Sequence, residues 1–206
     1  MNEKSFCRIG LFYDGSYVNY AQRHFYHNRK LGWLEFRSFH LLIENYLRTK
    51  EQGYNIYKIV YSAWFQGMFT VTHANEQQLK FDRNLYHDLM HAGIEPKFLP
   101  TSQSKHTEKG VDVALAIDAL QIWLENKIDI AVFVCGDGDL VPVIRALMKH
   151  GIRVMVVYFD YKEEDGHKSF ANERLLAVCN YELNVNQLEN DKNFKPSFKS
   201  LFRKSE

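Results

Sequence analysis

Short, unbroken runs of apolar residues recur along the chain and constrain its fold more than any other feature. The two strongest are IDIAVFVC at residues 128–135 and IRVMVVYF at residues 152–159. Weaker runs occupy residues 8–13, 55–64, 94–99 and, as a last edge strand, 181–185. Continuous apolar runs of strand length are typical of parallel strands that are covered on both faces. The sequence therefore predicts a central, mostly parallel sheet of about five or six strands.

Segments with helical periodicity separate these runs. Apolar residues recur at three- and four-residue spacing in residues 36–50, about 74–92, 108–126 and 139–150. Strands that alternate with helices of this length indicate β-α-β units with right-handed crossovers. Gly93 and Gly151 stand where two of the helices should end, and Pro142 suits the first turn of the last helix. The predicted fold class is α/β, with the strand order of a doubly wound sheet assumed.

The composition places the chain among ordinary globular proteins. Its 206 residues, 46% of them hydrophobic, suit one domain of ordinary size. The formal net charge of +1 does not select nucleic acid as a partner, so any such contact needs a local patch. The N-terminal residues lack the long apolar segment of a signal peptide, and no run of about 18 apolar residues indicates a membrane span. Three cysteines without a C-x-x-C pair indicate reduced thiols, and we expect a cytoplasmic protein.

Two basic segments are candidates for contact with phosphate groups. Residues 190–206 mix basic residues with three phenylalanines, and we expect a basic C-terminal tail appended to a domain of residues 1–189. Residues 22–30 contain Arg23 and Arg29 among aromatic residues. Together the two segments could supply the phosphate contacts of a nucleic-acid-binding patch. Charge runs of this kind are also common on solvated surfaces, so both interpretations stay open.

Aspartates follow two of the predicted strands at the point where each strand ends. Asp14 comes directly after the first run, and Asp137 and Asp139 follow the run at residues 128–135. In an open parallel sheet, ligands bind beyond the carboxyl ends of the strands, so these carboxylates converge if the two strands are neighbours. Asp112 falls in the first turn of the helix that leads into the second of these strands, and it can join the cluster from the side.

Four carboxylates at one edge of a sheet repel one another unless a cation lies among them. Oxygen ligands select hard ions, so the predicted cofactor is Mg²⁺ or Mn²⁺. Such an ion can activate a water molecule and stabilise an in-line displacement at phosphorus. Taken singly, an aspartate after a strand is also explained as a helix cap or a turn residue. The metal prediction rests on several aspartates sharing one edge.

Three segments between residues 8 and 157 share a pattern with a known protein family. They are RIGLFYDGSY, EKGVDVALAIDAL and VFVCGDGDLVPVIRALMKHGIRVMVV. In order and spacing they resemble the signature blocks of NYN domains, which are relatives of the PIN-domain nucleases. The resemblance implies a PIN-like fold: a Rossmann-like, three-layer α/β/α sandwich with a central parallel sheet. It also implies cleavage of RNA that depends on Mg²⁺ or Mn²⁺. Carried over, the metal-binding and catalytic residues are Asp14, Asp112, Asp137 and Asp139.

The chain departs from this family pattern after its first aspartate. Many members carry an asparagine two or three residues later, where this chain has Ser16 and Tyr17, with Asn19 further on. The Ser16 hydroxyl could instead contact metal-bound water or a phosphate. The other predicted substrate contacts are Lys109, Arg23 and Arg29, although a solvated lysine explains Lys109 equally well.

The sequence thus predicts a Mg²⁺- or Mn²⁺-dependent endoribonuclease that acts on RNA, with single-stranded or loop RNA as the expected substrate. A second hypothesis keeps the fold without turnover, as a catalytically silent module that binds RNA or protein and has a regulatory role. No membrane partner is expected. A homo-oligomer or a complex with a protein partner is compatible with either hypothesis.

Overall fold

Six parallel strands form the centre of the fold in the computed structural model, which describes residues 4–68, 75–101, 110–164 and 166–203. With elements numbered along the chain, these strands are β1 (Lys4–Asp14), β3 (Tyr54–Met68), β4 (Glu95–Pro100), β5 (Ile130–Val134), β6 (Arg153–Tyr158) and β9 (Tyr181–Asn184). Their order across the sheet is β4-β3-β1-β5-β6-β9, and all neighbours are parallel. This is the doubly wound order of a Rossmann-like sheet, so the predicted fold class is confirmed.

Helices cover both faces of this sheet and complete three layers. On one face lie α1 (Gly15–Arg23), α2 (Phe36–Lys50) and α3 (Glu76–His91); on the other lie α4 (Val111–Leu124), α5 (Val141–Lys149) and α6 (Glu173–Val178). The side chains of β1 alternate between the two resulting cores, as the period of two in a strand requires. None of the helices in the described residues is both long and apolar enough to cross a membrane.

Helix α1 was absent from the sequence prediction, and it is fixed by its contacts with β3. It begins directly at the end of β1, because Asp14 caps its first turn. Gly15 allows the helix to lie against the indole of Trp64, since a Cβ atom at this position would collide with the ring nitrogen. A short π-helix at His24–Asn28 continues α1 and ends before the two-residue strand β2 (Trp33–Leu34).

The C-terminal segment is integrated into the domain, which differs from the expectation of an appended tail. It contains α7 (Lys195–Lys199) and β10 (Phe202–Arg203), and β10 pairs with β2 in antiparallel orientation. Phe198 and Leu201 are buried in the same core as β1. The apolar side chains of the segment therefore add to the core, while Lys192, Lys195 and Lys199 face solvent. Residues 204–206 lie outside the described part of the chain.

Truncation of the Phe198 side chain tests this placement. Phe198 is 2% exposed, so Phe198→Ala removes a buried ring and should lower the free energy of unfolding by about 3–5 kcal/mol. Lys199→Ala, at the exposed neighbouring position, should change it by less than about 0.5 kcal/mol. Urea denaturation followed by circular dichroism measures both. Equal stability of the two variants would show that the segment does not contribute to the core.

Candidate active site

The pairing of β1 with β5 brings two of the predicted acidic residues to the same edge of the sheet. Tyr13 stands opposite Val134 at the end of the paired region. Asp14 is the next residue of β1, and Asp137 follows the end of β5 by three residues. Both side chains line one cleft. The assumption that the first and fourth predicted strands are neighbours is therefore correct.

Each of these two aspartates also caps a helix. The Oδ1 atom of Asp14 accepts a hydrogen bond from the Tyr17 amide at 3.1 Å, in the first turn of α1. The Oδ1 atom of Asp137 accepts one from the Asp139 amide at 2.9 Å, at the start of a 3₁₀-helix that spans Gly138–Leu140. A carboxylate has about four acceptor positions, so one capping bond leaves capacity for a further partner. The capping interpretation and the ligand interpretation are thus compatible.

The other two predicted acids lie near this edge in different settings. Asp112 is half-buried in the first turn of α4. Burial raises the pKa of the Cys135 thiol well above its ordinary value, and the charges of Asp14, Asp137 and Asp112 raise it further. These three carboxylates therefore stand within electrostatic reach of the same strand end. Asp139 is exposed in the 3₁₀-helix and does not line the cleft.

The cleft has a volume of about 590 Å³ and two walls. One wall is formed by α1 and the π-helix; it includes Tyr20, Arg23, His24 and His27. The other is a small hairpin of β7 (Tyr161–Lys162) and β8 (Lys168–Ser169) together with the residue that follows it. From this hairpin wall Glu163, His167, Lys168 and Phe170 line the cleft. Residues 160–168 are mostly charged and contain no apolar run of strand length, so no local pattern predicts this second wall.

Glycines beside the aspartates allow the second wall to lie against the end of β5. A Cβ atom on Gly136 would stand 2.5 Å from the Phe170 carbonyl oxygen and 2.8 Å from the Tyr17 ring. The Gly136 carbonyl accepts a hydrogen bond from the Asn172 amide at 2.9 Å. A Cβ atom on Gly138 would stand 2.7 Å from the Nδ2 atom of Asn172, at the end of that side chain. The G-D-G-D pattern therefore combines two carboxylates with one position, Gly136, at which a side chain would collide with backbone.

A buried pair of side chains fastens the two walls to each other. The Nδ1 atom of His24 lies 2.7 Å from Oε1 of Glu163, and both side chains are largely buried. The His24 ring also stacks on Tyr161, with the ring centroids 3.7 Å apart and the planes nearly parallel. Tyr17 adds a second link, because its hydroxyl accepts from the Phe159 amide and donates to the Phe159 carbonyl. We call the His24–Glu163–Tyr161 contact the clasp.

The predicted substrate-binding residues are not all in the cleft. Arg23 is exposed and lines it. Ser16 lines a smaller adjoining cleft of about 230 Å³, which shares Tyr20 and Arg23 with the first. Arg29 lines neither of these clefts and instead forms an ion pair with Glu189 at 2.9 Å. Lys109 lies outside the described residues.

Asn19, the first asparagine after Asp14, lines the smaller cleft with Ser16 and is held by other side chains. It is buried, and its amide nitrogen donates to Oε1 of Gln66 at 3.0 Å. Its Oδ1 atom accepts from the Gln22 amide at 3.2 Å, and Trp64 donates to the same Gln66 oxygen. The side chain is thus engaged in a buried network between α1 and β3.

The donors at the sheet edge are carboxylates, the oxygen ligands that Mg²⁺ and Mn²⁺ prefer. In the described ranges, however, no three His, Cys, Asp or Glu side chains stand close enough to one another to hold a metal ion. The donor chemistry of Asp14 and Asp137 fits a hard ion with few protein ligands.

Comparison with known proteins gives a family and a fold. The family model of the NYN domain matches residues 8–185 of the chain. No match was found among curated proteins. A crystal structure of a protein of unknown function from Vibrio parahaemolyticus RIMD 2210633 is similar, with a TM-score of 0.57 and 19% sequence identity. The alignment covers 94% of this chain and 98% of the other. At this identity the similarity supports the fold alone.

Breaking the clasp should destabilise the domain. Glu163→Ala leaves the Nδ1 atom of His24 without its partner in a buried position, and should lower the free energy of unfolding by about 1–3 kcal/mol. Glu164→Ala removes an exposed carboxylate from the same loop and should have almost no effect. Urea denaturation compares the two. A Glu163→Ala protein as stable as the control would mean that the clasp does not hold the walls together.

Proposed function

Because the chain belongs to the NYN domain family, whose members are generally nucleases, we propose that it cleaves RNA phosphodiester bonds with Mg²⁺ or Mn²⁺ as cofactor. The observation that carries this proposal is the shared position of Asp14 and Asp137 in one open cleft at the carboxyl edge of the sheet. That edge is where ligands bind in open parallel α/β sheets.

In the proposed site, Asp14 and Asp137 would hold the ion, and Asp112 would add negative charge beside them. Magnesium is commonly bound through one or two carboxylates, with waters and substrate phosphate oxygens as its remaining ligands. Two protein ligands therefore suit this ion. When bound, a divalent ion of this kind activates a water molecule and offsets the charge that develops on the phosphate. Asp139 belongs to the proposed set through its place in the family pattern.

The chain's own groups would orient the carboxylates and bind the substrate. The amides of Tyr17 and Asp139 each hold one carboxylate oxygen, which limits rotation of the Asp14 and Asp137 side chains. Arg23 and Lys168 place positive charge on the two walls, where it favours an anionic backbone. The carboxylates repel that backbone, so the cations are needed on either side of them.

A binding module without turnover is the second candidate. It is favoured by the lack of a three-donor metal group in the described residues and by the engagement of Asn19 in a buried network. Such a module would bind RNA in the same cleft and release it uncut. The variants below separate the two candidates, because only the nuclease requires charged carboxylates for its activity.

Neutralising either cleft aspartate should abolish cleavage while leaving the fold intact. Asparagine caps helices about as well as aspartate, so Asp14→Asn and Asp137→Asn keep the capping bonds and remove the charge. Loss of a residue that only hydrogen-bonds to a metal ligand typically lowers metal affinity or activity by about 10–100-fold. Because Asp14 and Asp137 are proposed as ligands themselves, we expect the rate of Mn²⁺-dependent RNA cleavage to fall by about 100-fold or more.

The matched control is Asp191→Asn. Asp191 also caps a turn, through bonds from the amides of Asn193 and Phe194, but it lies outside the cleft. The Asp191→Asn protein should cleave RNA at the same rate as the parent protein. Cleavage of end-labelled RNA, with circular dichroism to verify folding, measures all three variants. Full activity in Asp14→Asn or Asp137→Asn would exclude the proposed ligands, and the absence of products from the parent would favour the binding module.

Metal binding can be measured without activity. A ligand that binds only the folded state at about 100 times its dissociation constant stabilises it by about 2.7 kcal/mol. Saturating Mn²⁺ should therefore raise the midpoint of thermal unfolding of the parent and of Asp191→Asn by several degrees, at roughly 2–4 °C per kcal/mol. The Asp14→Asn/Asp137→Asn double variant should show little or no rise. An equal rise in all three proteins would assign the ion to another site.

A further inference from the structure

We infer that the two walls of the cleft form a subsite for unstacked nucleobases of a single strand, with Tyr20 on one wall and Phe170 on the other. This inference deepens the proposed function, because it rests on nucleic acid being the ligand of the cleft. It assigns binding roles to the hairpin wall, which neither the sequence pattern nor the family resemblance singled out.

The first observation is the exposure of two aromatic rings in the same cleft. Tyr20 is 66% exposed and Phe170 is 53% exposed, and both residues line the cleft. Single exposed apolar residues are common on protein surfaces and need no functional explanation. Tyr20 and Phe170 are unusual because they line the same cleft from opposite walls. The faces of exposed aromatic rings bind unpaired bases by stacking, with little dependence on sequence.

The second observation is that a cation lies over each ring, within the distance of a cation–π contact. The Lys168 Nζ atom lies 5.2 Å from the Phe170 ring centroid, and the Arg23 Cζ atom lies 5.8 Å from that of Tyr20. Neither cation has a carboxylate partner among the described residues. A ring with a cation over it, and with no carboxylate bound to that cation in the described part of the chain, matches the alternation of base and phosphate along a strand.

The third observation is that both rings belong to anchored elements. Tyr20 projects from α1, whose start is fixed by Asp14 and by the close approach of Gly15 to Trp64. Phe170 follows β8, and the clasp together with the contact of Gly136 fixes this segment. Rigid aromatic groups lose little conformational entropy on binding, so the site is largely organised before a strand enters.

Single strands suit this arrangement better than duplexes. In a double helix the base faces are covered by their neighbours, so Tyr20 and Phe170 could stack only after unpairing, which costs free energy. A strand between the walls would pass Asp14 and Asp137, which line the same cleft. The stacked bases would then flank the phosphate nearest the carboxylates.

The test is a binding assay that does not depend on cleavage. Asp14→Asn protein in EDTA is titrated against a fluorescein-labelled RNA single strand of about 12 nucleotides, and anisotropy is measured. In this background Phe170→Ala and Tyr20→Ala should each weaken binding by about 5- to 150-fold, the change that corresponds to loss of 1–3 kcal/mol of stacking. Phe170→Tyr and Tyr20→Phe should restore binding, because the ring faces are kept.

Two variants serve as matched controls. Phe6 and Tyr86 are exposed aromatic residues of similar exposure, 41% and 47%, and neither lines the cleft. Phe6→Ala and Tyr86→Ala should bind the strand as the background protein does. The same sequence as an RNA duplex should bind more weakly and should not respond to loss of either ring. A DNA single strand in parallel measures the contribution of the 2′-hydroxyl groups.

The outcomes separate this inference from the proposed function. If the parent cleaves RNA but Phe170→Ala and Tyr20→Ala bind like the controls, the subsite is wrong and the nuclease stands. If both variants lose binding but the parent yields no products with Mn²⁺, the base-binding subsite is supported and the proposed nuclease activity is contradicted. If the Asp14→Asn protein binds no single strand, or prefers the duplex, the subsite is overturned.

Discussion

The parallel pairing of β1 with β5 at the centre of the sheet is the constraint from which the candidate site follows. Where they pair, at Ile9–Tyr13 and Ile130–Val134, both strands are buried on both faces, and parallel pairing places their carboxyl ends at one edge. The positions of Asp14 and Asp137 are thus set by the backbone. Burial of each Leu, Ile or Phe side chain stabilises the fold by about 1.5–3 kcal/mol. Two carboxylates about 4 Å apart in water repel each other by only about 1 kcal/mol. The apolar strands therefore hold the acids together despite their charge.

The second structural requirement is a wall opposite α1, and long-range contacts supply it. The hairpin of β7 and β8 has few apolar residues of its own, so its position depends on the clasp and on the glycines at the end of β5. One short loop between two strands thus contributes an exposed ring, the cation that lies over this ring, and half of a cleft. The same glycines that separate Asp137 from its neighbours leave room for this loop, which links the acidic edge to the binding surface.

The sequence predicted those parts of the fold that are encoded in local apolar patterns. All six apolar runs are strands of the sheet, and the segment 36–50 coincides with α2. Helix α1 was missed because few of its residues are apolar and its buried Asn19 and Gln22 are satisfied only by contacts with β3. The burial of Phe198 was missed because the basic composition of the segment outweighed the four-residue spacing of its phenylalanines.

The sequence predicts which residues lie at the carboxyl edge of the parallel sheet, and this is the part of the site that local patterns encode. Aspartates directly after apolar runs could be placed there without knowing any distance. The clasp could not be predicted, since it joins residues 139 positions apart, and neither could the ion pair that removes Arg29 from the cleft. Contacts of this kind depend on how loops pack, which no local pattern encodes.

A crystal of the protein soaked in MnCl₂ tests the central claim most directly, because manganese scatters anomalously and can be located independently of the atomic coordinates. The account predicts an anomalous peak within coordination distance of the carboxylate oxygens of both Asp14 and Asp137. At saturating Mn²⁺, a cleft without a peak, or a peak bound only by residues elsewhere, would contradict it.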